Sequence, residues 1–468
     1  MESSDMVDYL PHLLDAAVFA PLAIGALLLL AGRGTARGTL VLGANLAAAP
    51  ALLQLALLLV VGRSGAPSPI GNFQLTAVGA ALLGMTVLVG AAAVHRALGQ
   101  LGGVEKPHAY LGLILILWGG TLGAFASPLD VRPGVLAAYV YHEVALIPTF
   151  ILTLFWGGEG RRMAAMQMAI YLTLGAMVGL AGLMICGFSP EGVRDNPSSA
   201  GLILLGLGTL VSLVPFHSWA APGYSAAPSP VSMLHAGALK KFGLAIIAAF
   251  AVGRLGCWSD LLLWLALGNT VLVGIVCLAQ RDLKQLVSWS SVAHMGPIFL
   301  GLWVADKTGK AEGLHAALFL MVAHGLTAAA LFSLANDVRA RTGTYRLEEL
   351  GGLAARTPVL AACFVAAAMA SIGLPGFANF WGEFGIFLAL RDQALWIQLA
   401  AASTVVVSAT YMLRAVAATF LGPLNPEIEK RGAIADLSWS ERLVPFLLLG
   451  ASLALGFNPS ILTRLLAQ

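Results

Sequence analysis

Residues 135–150 read VLAAYVYHEVALIPTF, an apolar run with a single carboxylate, Glu143, near its middle. The whole chain has this character, because 59% of its 468 residues are hydrophobic and only 10% are charged. A soluble domain has roughly 25% charged residues, so this chain lacks the polar residues needed to cover a water-facing surface. The composition predicts an all-α integral membrane protein in contact with a lipid bilayer, built from spans of about 20 apolar residues each.

The chain contains about fourteen apolar runs, joined by connections with turn residues such as SPLDVRPG, GGEGRR and AQRDLK. Lys and Arg residues are more frequent in the connections on the side opposite both termini. This bias predicts that both termini lie on the outer, periplasmic side of a bacterial plasma membrane. The acidic start MESSDMVDYLPH is not typical of a cleaved signal peptide, so we expect the first span to be retained. Asp282, in a connection, is expected to cap the following helix.

Several kinds of chemistry are not indicated by the sequence. The four cysteines stand singly, without the spacing of a metal or iron–sulfur site. No glycine-rich dinucleotide pattern follows a strand, and no haem motif is present. The net charge of +3 is spread over connections, with no basic block. We therefore predict no metal or cofactor in this chain, no redox catalysis by the chain itself and no nucleic-acid partner.

Ionisable residues inside the predicted spans are few. They are Glu143, Lys240, Lys241, Glu383, His217, His235, His294 and His324. A charge at the bilayer centre costs roughly 2.5–3.5 kcal/mol even on lenient scales, so such residues pair, face a wet cavity or carry ions. These residues could also have a purely structural role. A buried ion pair could hold helices together, and the histidines could form hydrogen bonds to a neighbouring helix. Two acids and two lysines together with histidines, which titrate near neutral pH, favour a proton or ion path.

Two spans are interrupted by helix-breaking residues. Pro215 lies in LVSLVPFHSWAAPGYSAAPSP, and Pro375 and Gly376 lie in SIGLPGFANFWGEF. Broken helices at related places in two halves of a membrane protein indicate an ion site of a transporter. Their freed carbonyl groups are tolerated only beside protein or water. The halves have little residue identity, so the similar placement of the breaks alone indicates a repeat.

Six stretches together resemble the antiporter-like membrane subunits of respiratory complex I, the proton-pumping NADH:quinone oxidoreductase. They are HEVALIPTFIL, VPFHSW, APSPVSMLHAGALKKFG, RDLKQLVSWSSVAHMG, MVAHGLTAAALF and ASIGLPGFANFWGEF, and the resemblance covers residues ~76–421. The HAGALKKFG form, a length under 500 residues and the absence of a long lateral helix at the C-terminal end are most similar to the subunit M (chain 4) type.

The resemblance implies fourteen helices with two inverted five-helix repeats, each containing one broken helix. The implied organisation is three N-terminal helices in 1–100, a first repeat in 101–255, a second repeat in 256–421 and a C-terminal helix in 422–468. The implied partners are other membrane-arm subunits, including further antiporter-like subunits. NAD, FMN, iron–sulfur clusters and quinone would belong to partner subunits.

The resemblance also implies a line of proton-carrying residues at mid-membrane. Glu143 matches the family's glutamate in the fifth helix, and Lys241 matches its lysine in the eighth. Glu383 matches the glutamate of the GEF motif in the twelfth helix. His294 and His324 match the histidines of the HMG and AHG motifs. In such a relay Lys241 would hold the central proton, and the histidines would pass it to Glu383.

One position departs from the family pattern. The family places a lysine beside the first helix break as the partner of the fifth-helix glutamate, whereas this chain has Leu210. Lys240 could compensate, although it points about 100° away from Lys241 on a helix. Glu143 could instead stay protonated or pair with a residue such as Arg161, or the first half could no longer switch.

Three functions stay open at this point. The first is a proton-translocating subunit of a complex I-type NADH:quinone oxidoreductase. The second is a subunit of a multisubunit cation/proton antiporter or of a membrane-bound hydrogenase, which share the fold and many of the motifs. The third is a largely structural subunit whose channel is impaired by the loss of the lysine at Leu210.

Overall fold

The computed structural model describes most of the chain as α-helices. The described residues are 3–32, 34–61, 67–430 and 434–466. Three arginines that enter the predicted orientation lie outside the described residues, namely Arg33, Arg63 and Arg431. Within the described ranges there is no strand, and the one extended pairing is an isolated bridge between Asp282 and Arg346. The predicted all-α class is confirmed.

Twenty-two α-helices are described. In the first half they are α1 Ser3–Leu30, α2 Arg37–Val61, α3 Ala77–Gln100, α4 Pro107–Ala126, α5 Gly134–Trp156, α6 Arg161–Ile185, α7 Pro190–Asp195, α8 Pro197–Leu210, α9 Ala220–Ala226, α10 Ser229–Leu234 and α11 Lys241–Ile246. The others are α12 Ser259–Leu267, α13 Val273–Leu278, α14 Leu283–Ala293, α15 Met295–Thr308, α16 Ala311–Thr342, α17 Pro358–Ile372, α18 Ala378–Ala389, α19 Leu395–Phe420, α20 Pro426–Glu429, α21 Trp439–Phe457 and α22 Ser460–Leu466.

Eleven helical segments among the described residues are long and apolar enough to cross a membrane. Three other predicted spans, centred near residues 210, 294 and 370, fall on pairs of shorter helices, namely α8 with α9, α14 with α15 and α17 with α18. Helices suit an apolar bilayer because they satisfy their backbone hydrogen bonds within one segment. The chain is therefore a multi-pass membrane protein, and the count of fourteen spans stays a prediction.

The described residues form two compact units, and each is considered by itself. The first unit comprises 1–211, 226–256 and 460–468, and the second comprises 212–225 and 257–459. In the first unit α1 packs against α2 and α4, α4 packs against α5, and α6 packs against α8. The predicted inverted repeats and the four predicted segments stay predictions.

Helices α6 and α8 approach each other closely because glycines face each other across the contact. A Cβ atom at Gly206 would lie only 2.2 Å from the backbone nitrogen of Gly179. A Cβ atom at Gly175 would lie 2.9 Å from the carbonyl oxygen of Gly206. Small residues allow membrane helices to pack backbone against backbone. The glycine-rich composition therefore positions α8, which ends at Leu210.

The second unit is organised around α16, whose most apolar window is entirely buried. Helices α14, α15, α17, α18 and α21 pack against α16. Asp282 caps α14 by accepting a hydrogen bond from the backbone N–H of Gln285 at 2.8 Å, as the sequence predicts. In the last turn of α16, the side chain of Arg341 donates hydrogen bonds to the carbonyl oxygens of Ala435 and Asp436. These contacts fix the helices that carry the candidate site.

Candidate functional site

The break between α17 and α18 holds a carboxylate directly against the backbone. Gly373 has φ +85° and Gly376 has φ +104°, a conformation that glycine adopts without steric cost. Pro375, which has no amide hydrogen, lies between them. Glu383 on α18 is only 5% exposed, and a Cβ atom at Gly373 would lie 2.3 Å from its Oε2 atom. The carboxyl group of Glu383 therefore occupies the space that a side chain at position 373 would fill.

His294 reaches the same break from the junction of α14 and α15. Its buried ring places Nε2 2.9 Å from the carbonyl oxygen of Ser371, in the last turn of α17. Its Nδ1 atom lies 2.8 Å from the carbonyl oxygen of Ser290. Carbonyl groups in the last turn of a helix lack intrahelical partners, so the break leaves Ser371 free to accept this contact.

The surroundings of His294 provide partners for both protonation states of the ring. When the ring is neutral, Nε2–H can donate to Ser371 while Nδ1 accepts from the Ser290 hydroxyl, 3.3 Å away. When the ring carries a second proton, Nδ1–H can donate to the Ser290 carbonyl instead. The Ser290 hydroxyl also lies 3.0 Å from the Tyr411 hydroxyl, so it keeps a partner in either state. This arrangement allows His294 to gain and lose a proton.

His324 on α16 stacks on His294, with ring centroids 5.4 Å apart and ring planes 20° apart. Its Nε2 atom lies 3.1 Å from the hydroxyl oxygen of Ser291. The second unit thus brings His294 and His324 into contact. His294 contacts Ser371 and the Glu383 carboxyl group lies against Gly373, so both side chains lie at the segment 371–373. These three residues are the ones that the sequence placed in the second half of the path.

Asn269 was not identified from the sequence, although its side chain binds the backbone of the break that contains Pro215. It is fully buried; its Oδ1 atom accepts from the amide of Val214 at 2.8 Å, and its Nδ2 atom donates to the carbonyl of Ser212 at 2.9 Å. Nδ2 also donates to the carbonyl of Val292 at 3.1 Å. A lone amide in the apolar run LLLWLALGNTVLVGIV was the available signal. Asn269 anchors the non-helical stretch that contains Pro215.

In the first unit, Lys240 and Lys241 are buried in the helical span Ser229–Ala251. The span is not a regular α-helix, because it contains π-helical turns at His235–Leu239 and Ile247–Ala251. Single π-turns occur frequently at functional sites. The Lys241 ammonium group donates to the carbonyl oxygen of Ala236 at 2.6 Å. The π-turn thus supplies a backbone acceptor for a lysine in an apolar span.

Leu210, the position of the expected lysine, is the buried last residue of α8. Glu143 on α5 has a side chain that is 45% exposed, and its Oε1 atom lies 3.5 Å from Nδ1 of His142. Arg161, one of the suggested partners of Glu143, donates to the carbonyl oxygens of Phe155 and Gly157 instead. The structure therefore pairs Glu143 with a residue that the sequence reasoning did not consider.

Glu143 also lines a groove of about 210 Å³ between α5 and α6. The other residues that line it are Leu146, Ile147, Thr149, Phe150, Met168, Ala169, Leu172 and Thr173. Apart from the carboxylate and two hydroxyls, this lining is apolar. No group of three or more metal-ligating residues occurs within the described parts of the chain, and the four cysteines are free thiols.

Comparison with known proteins connects this geometry to a family. Residues 133–409 match the profile of the family described as NADH:quinone oxidoreductase/Mrp antiporter, TM. The chain is 30% identical to NAD(P)H-quinone oxidoreductase chain 4 1 of Synechococcus sp. (strain JA-3-3Ab) over 385 residues, which cover 77% of this chain and 72% of that protein. It is likewise 30% identical over 390 residues to NAD(P)H-quinone oxidoreductase chain 4 1 of Picosynechococcus sp. (strain ATCC 27264 / PCC 7002 / PR-6), with 77% and 70% covered.

Solved structures show the same fold. A chain of respiratory complex I from Thermus thermophilus with bound NADH is 29% identical, with a TM-score of 0.82 and 97% of both chains covered. A chain of the Mrp complex from Dietzia sp. DQ12-45-1b is similar in fold at 19% identity, with a TM-score of 0.82 and 97% and 96% covered. The chain described here therefore belongs to the antiporter-like membrane subunits of this family, and within them to the subunit M (chain 4) group of complex I.

Proposed function

We propose that this chain is a proton-translocating membrane-arm subunit of a complex I-type NADH:quinone oxidoreductase. The observation that carries the proposal is the burial of Lys241, His294, His324 and Glu383 inside otherwise apolar helices. Ionisable groups at membrane depth cost several kcal/mol, so they persist where they carry ions or bind partners. An inert scaffold would gain nothing from this set of groups.

In the proposed path, Lys241 holds the central proton, His294 and His324 pass it on, and Glu383 receives it before release. The partners of His294 in both protonation states support its role as a carrier. Lys240, beside Lys241, is an additional buried amine of the first half. Redox chemistry in partner subunits would drive the changes in protonation.

The proposal includes the finer organisation that the family resemblance implies. It comprises fourteen spans with two inverted five-helix repeats, and both termini on the periplasmic side of a bacterial plasma membrane. The partners are other membrane-arm subunits, including further antiporter-like subunits. NAD, FMN, iron–sulfur clusters and quinone are held by partners, and this chain performs no redox step itself.

The test is proton uptake by inverted membrane vesicles that contain the intact complex, with NADH oxidation followed in the same sample. Lys241→Ala is expected to lower proton uptake per NADH oxidised. Lys310→Ala is the matched control, because Lys310 is exposed and pairs with Asp392 in a connection. Equal uptake by Lys241→Ala, the control and the wild type would refute the proposed path.

The missing lysine at position 210 favours one alternative, a largely structural subunit with an impaired channel. Leu210→Lys distinguishes the two functions in the same vesicles. A gain in proton uptake would show that the missing cation impairs the wild-type channel. A cation/proton antiporter or hydrogenase subunit would instead be revealed by the absence of any NADH-driven uptake in the wild type.

A further inference from the structure

We propose that His142 takes the place of the missing lysine and is the proton-transfer partner of Glu143. This inference rests on the proposed function, because it assigns a residue to the same proton path. The family's lysine partner is replaced by Leu210 in this chain, and the assignment of His142 gives Glu143 another partner for proton transfer.

The geometry of His142 and Glu143 is the first support. The Oε1 atom of Glu143 and the Nδ1 atom of His142 lie 3.5 Å apart. Both atoms are buried, and neither has a hydrogen-bond partner among the described residues. A buried polar atom without a partner costs about 1–3 kcal/mol, and these two atoms can satisfy each other. A shift of a few tenths of an ångström brings them within hydrogen-bond distance, since N–H···O contacts span about 2.7–3.2 Å.

The His142 ring is held in place by packing against the span that carries the two lysines. It is buried and stacks on the ring of Phe242, with centroids 4.4 Å apart and planes 20° apart. Phe242 directly follows Lys241. The stacking therefore fixes the ring.

The ionisable groups around His142 form a continuous set in the first unit. On α5 they are Glu143 and Tyr139, which interact electrostatically with each other. On the facing span His235 interacts electrostatically with His142, Lys240 and Lys241. His142 therefore contacts both Glu143, which lines the groove, and Phe242, in the span that carries Lys240 and Lys241.

The chemistry of imidazole fits this position. A proton leaves the carboxyl oxygen of Glu143 and binds Nδ1 of His142, so that one O–H bond breaks and one N–H bond forms. The products are a carboxylate and an imidazolium, and the proton on Nε2 can then leave towards the His235 side. Loss of that proton leaves the hydrogen of the neutral ring on Nδ1. The starting state returns when tautomer exchange has moved this hydrogen back to Nε2 and Glu143 has taken up a new proton. Imidazole can accept a proton on one nitrogen and release another from the second nitrogen, on the opposite edge of the ring.

The experiment uses the vesicles and the proton-uptake assay described above. His142→Phe keeps the ring packing on Phe242 and removes both nitrogens. We expect its proton uptake per NADH to fall to the level of Lys241→Ala. The double variant His142→Phe/Leu210→Lys is expected to regain uptake, because the lysine of the family pattern is restored.

Two further variants separate proton transfer from packing. His142→Lys keeps a side chain that binds a proton, so we expect it to keep uptake. Lysine is the stronger base of the two side chains, so the pH optimum should move upward. His142→Gln forms hydrogen bonds but binds no proton, so we expect it to lose uptake. If His142→Phe does not assemble, the Gln and Lys variants decide, because a purely structural histidine would show no shift in pH optimum.

The outcomes distinguish this inference from the proposed function. Loss of uptake in Lys241→Ala with wild-type uptake in His142→Phe or His142→Gln would overturn the role of His142 and leave the function standing. Wild-type uptake in Lys241→Ala would overturn the proposed function itself. Loss of uptake in His142→Phe and His142→Gln, with recovery in His142→Lys or in the double variant, supports the assignment.

Discussion

Asn269→Leu is expected to destabilise the second unit, although the leucine side chain has the same number and branching of heavy atoms as asparagine. The substitution removes three hydrogen bonds, to the amide of Val214 and the carbonyls of Ser212 and Val292. A side-chain hydrogen bond in a membrane protein contributes about 0.6 kcal/mol on average and at most about 1.7. The three bonds together therefore stabilise the unit by about 2 to 5 kcal/mol.

The assay is the temperature at which the purified complex loses its intact size on chromatography after heating. One kcal/mol lowers the melting temperature of a unit of 150–250 residues by roughly 2–4 °C, so we expect a decrease of at least about 4 °C. Because Val292 precedes His294 by two residues, proton uptake per NADH should also fall.

The matched control is Thr270→Val, at the next position. Thr270 is also buried, but its hydroxyl donates to the carbonyl of Ala266, at 3.0 Å, within the same helical span Gly256–Leu278. Valine has nearly the same shape, and the helical backbone keeps its own bonds. We expect this variant to melt close to the wild-type temperature. Equal melting temperatures for Asn269→Leu and Thr270→Val would refute the role assigned to the amide.

Two other substitutions test packing and capping. Gly206→Ala should destabilise the complex by about 1–3 kcal/mol, because its Cβ atom overlaps the α6 backbone. Gly450→Ala, where nothing lies within 4 Å, should be neutral in the same heating assay, and equal midpoints would contradict the close packing. Asp436→Ala removes the acceptor of the Val359 and Leu360 amides at the start of α17, costing about 1 kcal/mol. Hydrogen exchange at those two amides should then accelerate, and unchanged exchange would contradict the cap.

The fold class followed from the sequence because its physical cause is compositional. A chain with only 10% charged residues lacks the polar surface of a soluble domain, and its long apolar runs are typical of helices in a bilayer. Helix ends were predictable where a residue type forces them, as Asp282 does at the start of α14. The two π-turns in Ser229–Ala251 were not predictable. A π-turn differs from an α-turn by one residue per turn, and neither the composition of this span nor its apolar residues, which occur on every side, indicate where such a turn lies.

The candidate site was predictable in its side chains and not in its backbone. Glu383, His294 and His324 stand out as ionisable residues in apolar runs. The acceptor that joins His294 to the break is the carbonyl of Ser371, and a carbonyl has no signature in a sequence. His142 was missed for another reason. Adjacent helical residues do not normally face each other, so the partners considered for Glu143 were Lys240 and Arg161, which lie in other segments.

The two glutamates of the path are held in different ways, and the difference explains how the first half can function without its lysine. Glu383 is enclosed at a helix break, whereas the Glu143 side chain is 45% exposed. A glutamate–lysine pair places two charges in the membrane, and desolvation of such a pair can cost more than its attraction returns. A glutamate–histidine pair can hold a single proton with neither group charged. In our proposal, the leucine at position 210 therefore removes one ionisable group from the first half, and His142 carries a charge only during proton transfer.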